Sequence, residues 1–508
     1  MSPARTTAPG GTSRANGELR ALTGLRIVAA AWVVIFHFHF TPLPGVAVVN
    51  EVFGPLITAG ALGVDLFFVL SGFVIAYTYL ETMGRRLDLG PAVRFVWARV
   101  CRMWPAYVVV FNLFGLWLLA RLAFGTSGNI AFQSVQPTVN VQQWVEQMFM
   151  VQLWTHDYFD GASWVGSTWS ISAEWLAYLC FPVTALVFFR LRNLPRPVLA
   201  LAAVAVTTPM AWAYVSTGNP YFPFSWLIRI ATGFSAGVLA YLVVRRVQQS
   251  ERNRRIASWV ATGSVLALIA GLLLGEQAGP DRGGAGLVLF PILVGALAMA
   301  DRGPARLLSG SAMVRGGRIS YSLYLVHIPI FELYWFALAR HDVLGQRPVL
   351  AHALIPVVLL AALLASLLLH RSIEEPWRNR MRGWVGARRP APAPVATASA
   401  AVDEERDPVA LALRTAAVTA PRPVPEPPEN EQTGAPLWFT PAVEPTGPGR
   451  GPRPVPVPAA SGAPRAARPT PWSRHTSTLP VQSAVVLAAA LESRERRSEH
   501  RAWVQATS

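Results

Sequence analysis

The chain has 508 residues, of which 52% are hydrophobic and only 14% are charged, and its mean hydropathy is +0.36. Soluble globular domains carry about a quarter charged residues, so this composition excludes an ordinary soluble protein and indicates a polytopic membrane protein. The formal net charge is +16, and no lysine occurs. The arginines cluster between apolar runs without a nucleic-acid-binding motif. This excludes nucleic acid as the partner and is typical of loops that face anionic membrane lipids.

The two ends of the chain differ in composition from its middle. Residues 1–20 are small and polar, and residues 385–508 are rich in Pro, Ala and Arg. Neither segment can bury a core, so both are predicted to be disordered around a membrane domain at residues 21–384. Cys101 and Cys180 stand singly in or beside apolar segments, which argues against a disulfide framework or a cysteine metal site. The first apolar run carries Arg and His, which predicts an uncleaved first span and not a signal peptide.

Hydropathy predicts an all-α bundle of about ten transmembrane helices. Arginine-rich loops alternate with arginine-poor ones, residues 125–169 and 216–225 having no arginine at all. The positive-inside rule therefore places both termini in the cytoplasm, on the inner side of a bacterial plasma membrane. The spans are predicted to begin near Leu22, Ile57, Pro105, Ser170, Val198, Trp226, Ser258, Ala285, Ile319 and Leu350.

The first span, residues 22–40, contains three ionisable side chains. Arg26 and His37 are separated by about three helical turns, roughly 16 Å, and share one face, whereas His39 points to the other side. Ionisable groups within a membrane are costly and commonly mark a functional site. An imidazole can act as a general base near neutral pH, so His37 is predicted to be catalytic.

Asp65 lies in the second span at a depth comparable with that of His37. A carboxylate there could fix the tautomer of His37 and stabilise its imidazolium form, or it could pair with another helix and serve packing. The segment Ser71, Gly72 and Phe73 permits close helix approach through its small residues and is interpreted as a packing element.

Arg99 and Arg102 lie one helical turn apart at the mouth of the third span. Paired guanidiniums can bind phosphate, but ordinary positive-inside charge explains the same pattern. Pro105 is typical of a helix start, so the third helix is predicted to begin there.

Polar residues also occur in the fourth and ninth spans. Glu174 lies just inside the outer end of the fourth span. Tyr321, Tyr324 and His327 recur every three residues along one side of the ninth span, which favours a cavity over a lipid-facing surface.

Together these stretches resemble the acyltransferase-3 family of integral membrane O-acyltransferases. Six pieces carry the resemblance, in the family's order, between about residues 22 and 382. They are Arg26 with His37 eleven residues later, GVDLFFVLSGF (63–73), RVCRMWP (99–105), WSISAEW (169–175), SYSLYLVH (320–327) and EEPWR (374–378).

The resemblance implies an acyltransferase that transfers groups other than aminoacyl groups. It implies acyl-CoA, in the form of acetyl-CoA, as a cytoplasmic co-substrate, no metal, and an acceptor hydroxyl on a glycan, lipid or other small molecule. His37 resembles the family's catalytic histidine and Glu174 a site carboxylate. Arg26, Arg99 and Arg102 resemble its donor-binding residues.

One feature departs from the family. Trp175 stands where many members have a second acidic residue, so only Glu174 is assigned to the site. Some relatives also carry a hydrolase-like domain. The residues after the tenth span contain no hydrolase-like blocks, so a second transfer step within this chain is not expected.

A transporter or flippase is the alternative function, because it could use the same intramembrane His, Asp and Arg as a proton or substrate path. Transporters commonly contain internal repeats and paired broken helices, and the two halves of this sequence are not convincingly similar.

Overall fold

The structure is a computed structural model that describes residues 19–125 and 129–384. These residues form helices, turns and connecting segments without a β-strand, which confirms the predicted all-α fold for this part of the chain. The predictions for residues 1–18 and 385–508 concern residues outside the described part.

The described residues contain fifteen α-helices, three 3₁₀-helices and two π-helical turns. The 3₁₀-helices are Ala59–Ala61, Gly166–Thr168 and Arg282–Leu289, and the π-helical turns are His341–Gly345 and His370–Glu374. The α-helices are α1 Arg20–Phe38, α2 Pro44–Thr58, α3 Leu62–Met83, α4 Leu89–Phe124, α5 Val141–Met148, α6 Trp169–Leu191, α7 Arg196–Ala205, α8 Thr208–Thr217, α9 Ser225–Val244, α10 Glu251–Ala278, α11 Phe290–Met299, α12 Pro304–Leu308, α13 Ser311–Ala339, α14 Pro348–Leu369 and α15 Glu375–Trp384.

Ten helical segments of the described chain are long and apolar enough to cross a membrane, which confirms the predicted number. Five of them contain more than one helix, because an α-helix is joined to a 3₁₀-helical or π-helical stretch or, between α7 and α8, to the next α-helix through a short turn. These are Pro44–Met83, Gly166–Leu191, Arg196–Thr217, Arg282–Met299 and Pro348–Trp384.

The predicted start of the third helix is wrong. α4 begins at Leu89 and runs for 36 residues, so Pro105 lies inside it. Proline removes a single intrahelical hydrogen bond, and membrane bundles tolerate this because neighbouring groups satisfy the freed carbonyl. Arg99 and Arg102 therefore lie on a continuous helix.

Glycines allow α3 and α9 to pack in direct backbone contact. A Cβ atom on Gly72 would lie 1.9 Å from the Phe234 carbonyl oxygen, and one on Gly237 would lie 2.0 Å from that of Val69. No side chain fits at either position, which confirms the packing role predicted for the segment around Gly72.

Replacing Gly72 by alanine is expected to destabilise the protein. The methyl group would push α3 from α9, and overpacking of this kind costs about 1–3 kcal/mol. Thermal unfolding of the purified protein in detergent measures the loss. Gly263→Ala in α10 is the matched control, since a Cβ there meets nothing within 4 Å. Equal unfolding temperatures for the two variants would contradict the prediction.

α1 packs along α13, and this contact positions the candidate site. A Cβ atom on Gly317 would lie 1.8 Å from the Thr23 carbonyl oxygen, so the two helices also approach closely. Arg26 and His37, on one face of α1, contact Ser320 and His327 of α13. The end of the bundle that holds the start of α1, the end of α3 and the start of α4 is called the N-terminal end below.

Candidate active site

A cavity of about 50 Å³ lies between α1, α3, α6 and α13. One buried water needs roughly 10–15 Å³, so there is room for a small polar ligand. Four of the predicted site residues contribute to its wall, from three different helices. The lining consists of Arg26, Val64, Phe67, Phe68, Ser71, Ser170, Ile171, Glu174, Ser320, Tyr321 and Tyr324.

Arg26 supplies positive charge to the cavity. Its Nε donates to the hydroxyl oxygen of Ser320 at 3.4 Å, and its guanidinium lies 5.8 Å from the centre of the Phe67 ring. Glu174 and Glu374 both attract it electrostatically. Neither carboxylate forms a salt bridge with it among the described residues, so its charge remains available to a ligand in the cavity.

Glu174 is held in the cavity wall by two hydroxyl groups. Ser71 donates to its Oε1 atom, and the hydroxyl of Tyr178, one turn later in α6, donates to the same oxygen at 2.5 Å. Two donors stabilise the ionised carboxylate and fix its orientation. Ser71, which the sequence analysis assigned to packing alone, therefore also positions a residue of the candidate site.

The tautomer of His37 is set by its own helix. Its Nδ1 atom lies 2.9 Å from the carbonyl oxygen of Val33. A carbonyl has no proton to donate, so Nδ1 of the neutral ring carries the hydrogen and Nε2 keeps its lone pair. His37 is therefore oriented as a base at Nε2.

His327 lies beside His37, one turn beyond Tyr324 in α13. The two imidazoles approach at 3.2 Å, from His327 Nε2 to His37 Nδ1, and His327 is fully buried. The single hydrogen on His37 Nδ1 is therefore shared between two acceptors, the Val33 carbonyl oxygen and Nε2 of His327. His327, which the sequence analysis placed in a substrate cavity, thus contacts the predicted base.

Of the two roles considered for Asp65, the structure supports pairing with another helix and not the orientation of His37. Arg229 of α9 donates to both carboxylate oxygens of Asp65, from Nε at 2.9 Å and from Nη2 at 2.7 Å. Both side chains are buried, with exposures of 5% for Asp65 and 2% for Arg229. The close packing of α3 on α9 brings this guanidinium to Asp65, so the carboxylate joins those two helices.

Arg229 is the residue that sequence reasoning missed altogether. It is a charged residue in the otherwise apolar sixth span, and such residues usually have a partner or a function. This lone charge in an apolar span is visible in the sequence, and it identifies Arg229 as a possible partner for Asp65 in place of His37.

Arg99 and Arg102 point to different neighbours at the N-terminal end. Arg99 donates from Nη2 to the Tyr79 hydroxyl at 3.4 Å, and its guanidinium lies 5.6 Å from the centre of that ring. Its buried Nε has no hydrogen-bond partner among the described residues. Arg102 interacts electrostatically with the cavity residues Arg26 and Tyr321. Together they extend positive charge from the cavity towards the surface.

Tyr321 and Tyr324 present their rings to the cavity, but their hydroxyl protons are used elsewhere. Tyr321 donates to the carbonyl of Met103 at 2.8 Å, and Tyr324 to that of Ser167 at 2.7 Å. They shape the cavity wall and hold α13 against its neighbours, and their hydroxyls are not free to donate to a substrate.

Glu374 is a further buried carboxylate near the cavity. It is 1% exposed, and its Oε2 accepts from Ser322 at 2.7 Å and lies 2.8 Å from His370 Nδ1. It also attracts Arg102. The sequence analysis included it in a family motif without giving it a role. The structure shows that it joins the π-helical turn after α14 to α13.

Metal ligation has no support in the part of the chain that the structure describes. No three His, Cys, Asp or Glu side chains lie close enough there to hold a metal ion. The histidine pair and the two carboxylates of the site are instead suited to moving a proton and to binding polar groups.

Comparisons with known proteins find several relatives of this chain. The chain is 27% identical to "Acyltransferase MdmB" of Streptomyces mycarofaciens over 73% of this chain and 94% of the relative. It is 26% identical to "O-acetyltransferase OatA" of Staphylococcus aureus over 71% of this chain but 57% of the relative. "Nodulation protein 10" of Rhizobium leguminosarum bv. viciae is 25% identical over 61% of this chain and 82% of its own length.

No solved structure matches the chain significantly. The family model described as an acyltransferase domain, acyltransferase-3, matches residues 19–371, which include the cavity and both histidines. The chain is therefore a multi-pass membrane acyltransferase and belongs to the acyltransferase-3 family.

Proposed function

We propose that this enzyme transfers an acetyl group from acetyl-CoA to a hydroxyl group of a glycan, a lipid or another small molecule. The observation that carries the proposal is the geometry of α1. A histidine whose Nε2 is free to act as a base lies on the same face as Arg26, a cation in the cavity wall. The name of one relative, an O-acetyltransferase, supports acetyl as the transferred group and oxygen as its acceptor.

The proposed reaction begins with proton removal from the acceptor. Nε2 of His37 takes the hydroxyl proton while the oxygen attacks the thioester carbonyl carbon. The carbonyl oxygen becomes an oxyanion. Arg26 lies about three helical turns from His37 along α1, so its guanidinium holds the donor in the cavity and does not contact this oxygen. The C–S bond then breaks, and the CoA thiolate receives the proton from the His37 imidazolium. The ester and free CoA are the products.

The acyl donor approaches from the N-terminal end in this proposal. Arg99 and Arg102 lie there, and guanidinium groups suit the phosphates of CoA. Arg102 is near enough to interact electrostatically with Arg26 of the cavity wall. A donor whose phosphates bind Arg99 and Arg102 could therefore extend its thioester into the cavity. Cytoplasmic termini, which the distribution of arginine favours, would expose this end to cytoplasmic acyl-CoA.

Incubation of the purified protein with radiolabelled acetyl-CoA tests the proposal. Release of labelled acetate, or transfer of label to an added hydroxyl compound, is the expected result. The Arg26→Ala variant, which lacks the cation in the cavity wall, is the matched control and should release far less label. Label that remains entirely in acetyl-CoA, in the presence of a panel of glycan and lipid acceptors, would contradict it.

Replacing Arg99 or Arg102 by alanine is expected to raise the KM for acetyl-CoA about tenfold, since a charge-assisted contact to phosphate contributes roughly that factor. The phosphates are remote from the thioester, so kcat should change less. Arg102→Lys should recover part of the loss, because a point charge cannot form the bidentate contact. Arg26→Ala should instead lower kcat more than it raises KM.

Steady-state kinetics of these variants, normalised to folded protein, measure the difference. An unchanged KM for acetyl-CoA in both Arg99→Ala and Arg102→Ala would show that these arginines do not bind the donor.

A further inference from the structure

The helix α15 presents its arginines on two different sides. Arg378 and Arg382 are one turn apart, share a face and are partly buried. Arg380 lies on the other side, is exposed, and stacks over the Trp377 ring at 5.7 Å. The helix therefore directs the guanidiniums of Arg378 and Arg382 inward and that of Arg380 outward.

α15 is fixed against α4. The indole nitrogen of Trp97 donates to the carbonyl of Met381 at 2.9 Å, and the rings of Trp97 and Trp384 lie 6.2 Å apart. The side chain of Met381 is buried, with an exposure of 3%. Arg382 thus follows an anchored residue, and its position relative to α4 is defined by tertiary contacts.

Positive charge accumulates where α15 meets α4. Arg382 interacts electrostatically with Arg378, Arg99 and Arg102. The carboxylates in this group are Glu374, which is buried and already hydrogen-bonded, and the partly exposed Glu375. Four guanidiniums against two carboxylates leave a net charge of about +2 between closely packed side chains. Such a group is stabilised by a bound anion.

Three of these arginines lie at successive levels along α4. Arg102 precedes Met103, whose carbonyl accepts a hydrogen bond from the cavity residue Tyr321. Arg99 lies one turn earlier in α4, towards the N-terminal end. Arg382 follows Met381, whose carbonyl accepts from Trp97, two residues before Arg99. CoA carries its 3′-phosphate at the end remote from the thioester, so Arg382, the outermost of the three, matches that phosphate.

We propose that Arg382 binds the 3′-phosphate of CoA, and that α15 therefore forms part of the donor site. The inference rests on the proposed acyl-CoA donor and adds a second helix to the donor contacts on α4. Arg99 and Arg102, which lie nearer the cavity, then bind the pyrophosphate of CoA.

Equilibrium binding of CoA and of 3′-dephospho-CoA to the full-length protein tests this assignment without any transfer step. The wild type is expected to bind CoA about tenfold more tightly than 3′-dephospho-CoA, the effect of one charge-assisted contact. Arg382→Gln should weaken CoA binding by about the same factor and leave 3′-dephospho-CoA binding unchanged. Arg380→Gln, on the outer side of the same helix, should bind both compounds as the wild type does.

Thermal unfolding of each variant confirms that it is folded, and Arg382→Lys, which keeps the charge, should retain part of the preference for CoA. Equal weakening of both compounds in Arg382→Gln, or no weakening of either, would overturn the assignment while leaving the acyl-CoA donor in place. A wild-type protein that bound neither compound would contradict the donor itself, and the assignment with it.

Discussion

Replacing His37 by alanine is expected to lower the rate of acyl transfer by about 10²- to 10⁴-fold, the usual contribution of a general base. The ring of His37 is oriented by the carbonyl of Val33, which leaves Nε2 as the only ring atom with a free lone pair. Alanine removes that acceptor for the substrate proton. Because α1 packs on α13 mainly through other residues, membrane insertion and folding should persist. Transfer of radiolabelled acetyl, normalised to monodisperse protein, measures the loss.

His39→Ala is the control for this variant. His39 lies at the end of α1, and its Nδ1 atom bonds to the carbonyl of Phe36. It is close in sequence to His37 and has the same chemistry, but it lies away from the face that carries Arg26. We expect His39→Ala to keep substantial activity. If His39→Ala abolishes activity while His37→Ala retains it, His37 is not the base.

Removing one partner of the buried pair between Asp65 and Arg229 is expected to destabilise the protein severely. Asp65→Ala would leave a guanidinium with an exposure of 2% without its counter-ion. An uncompensated buried charge of this kind costs about 3–5 kcal/mol. Arg229→Ala should have a similar effect, because it leaves the Asp65 carboxylate unpaired. The fraction of monodisperse protein after membrane extraction, and its thermal unfolding temperature, measure the loss.

A double variant separates the structural role of Asp65 from a catalytic one. Asp65→Leu combined with Arg229→Met removes both charges and fills the space with apolar groups, so it should recover most of the stability. We expect this variant to keep acyl-transfer activity, because Asp65 binds Arg229 and not His37. A double variant that is as stable as the wild type but inactive would instead support the other role considered for Asp65, the orientation of His37.

Local properties of the sequence determined the class of the protein and the outline of its site. Each span depends on the hydropathy of about twenty consecutive residues, so all ten could be predicted without knowledge of their neighbours. The helical period placed Arg26 and His37 on one face, and both contact α13. The ordered motifs indicated the acyltransferase-3 family, which the match over residues 19–371 confirms.

Local rules were less reliable at the helix ends. Pro105 is typical of a helix start, yet α4 begins at Leu89. A proline costs only one hydrogen bond, and within a membrane the remaining backbone groups have no alternative to the helix, so the helix continues through it.

The partners of the polar side chains were decided by tertiary structure alone. Asp65 and Arg229 are 164 residues apart, and His37 and His327 are 290 apart. Hydropathy and periodicity give the depth and the face of a residue but not the helix that lies opposite. That choice depends on which helices can approach closely, and the backbone contact at Gly72 brings α9 to α3. Arg229 consequently reaches Asp65, and His327 of α13 lies beside His37.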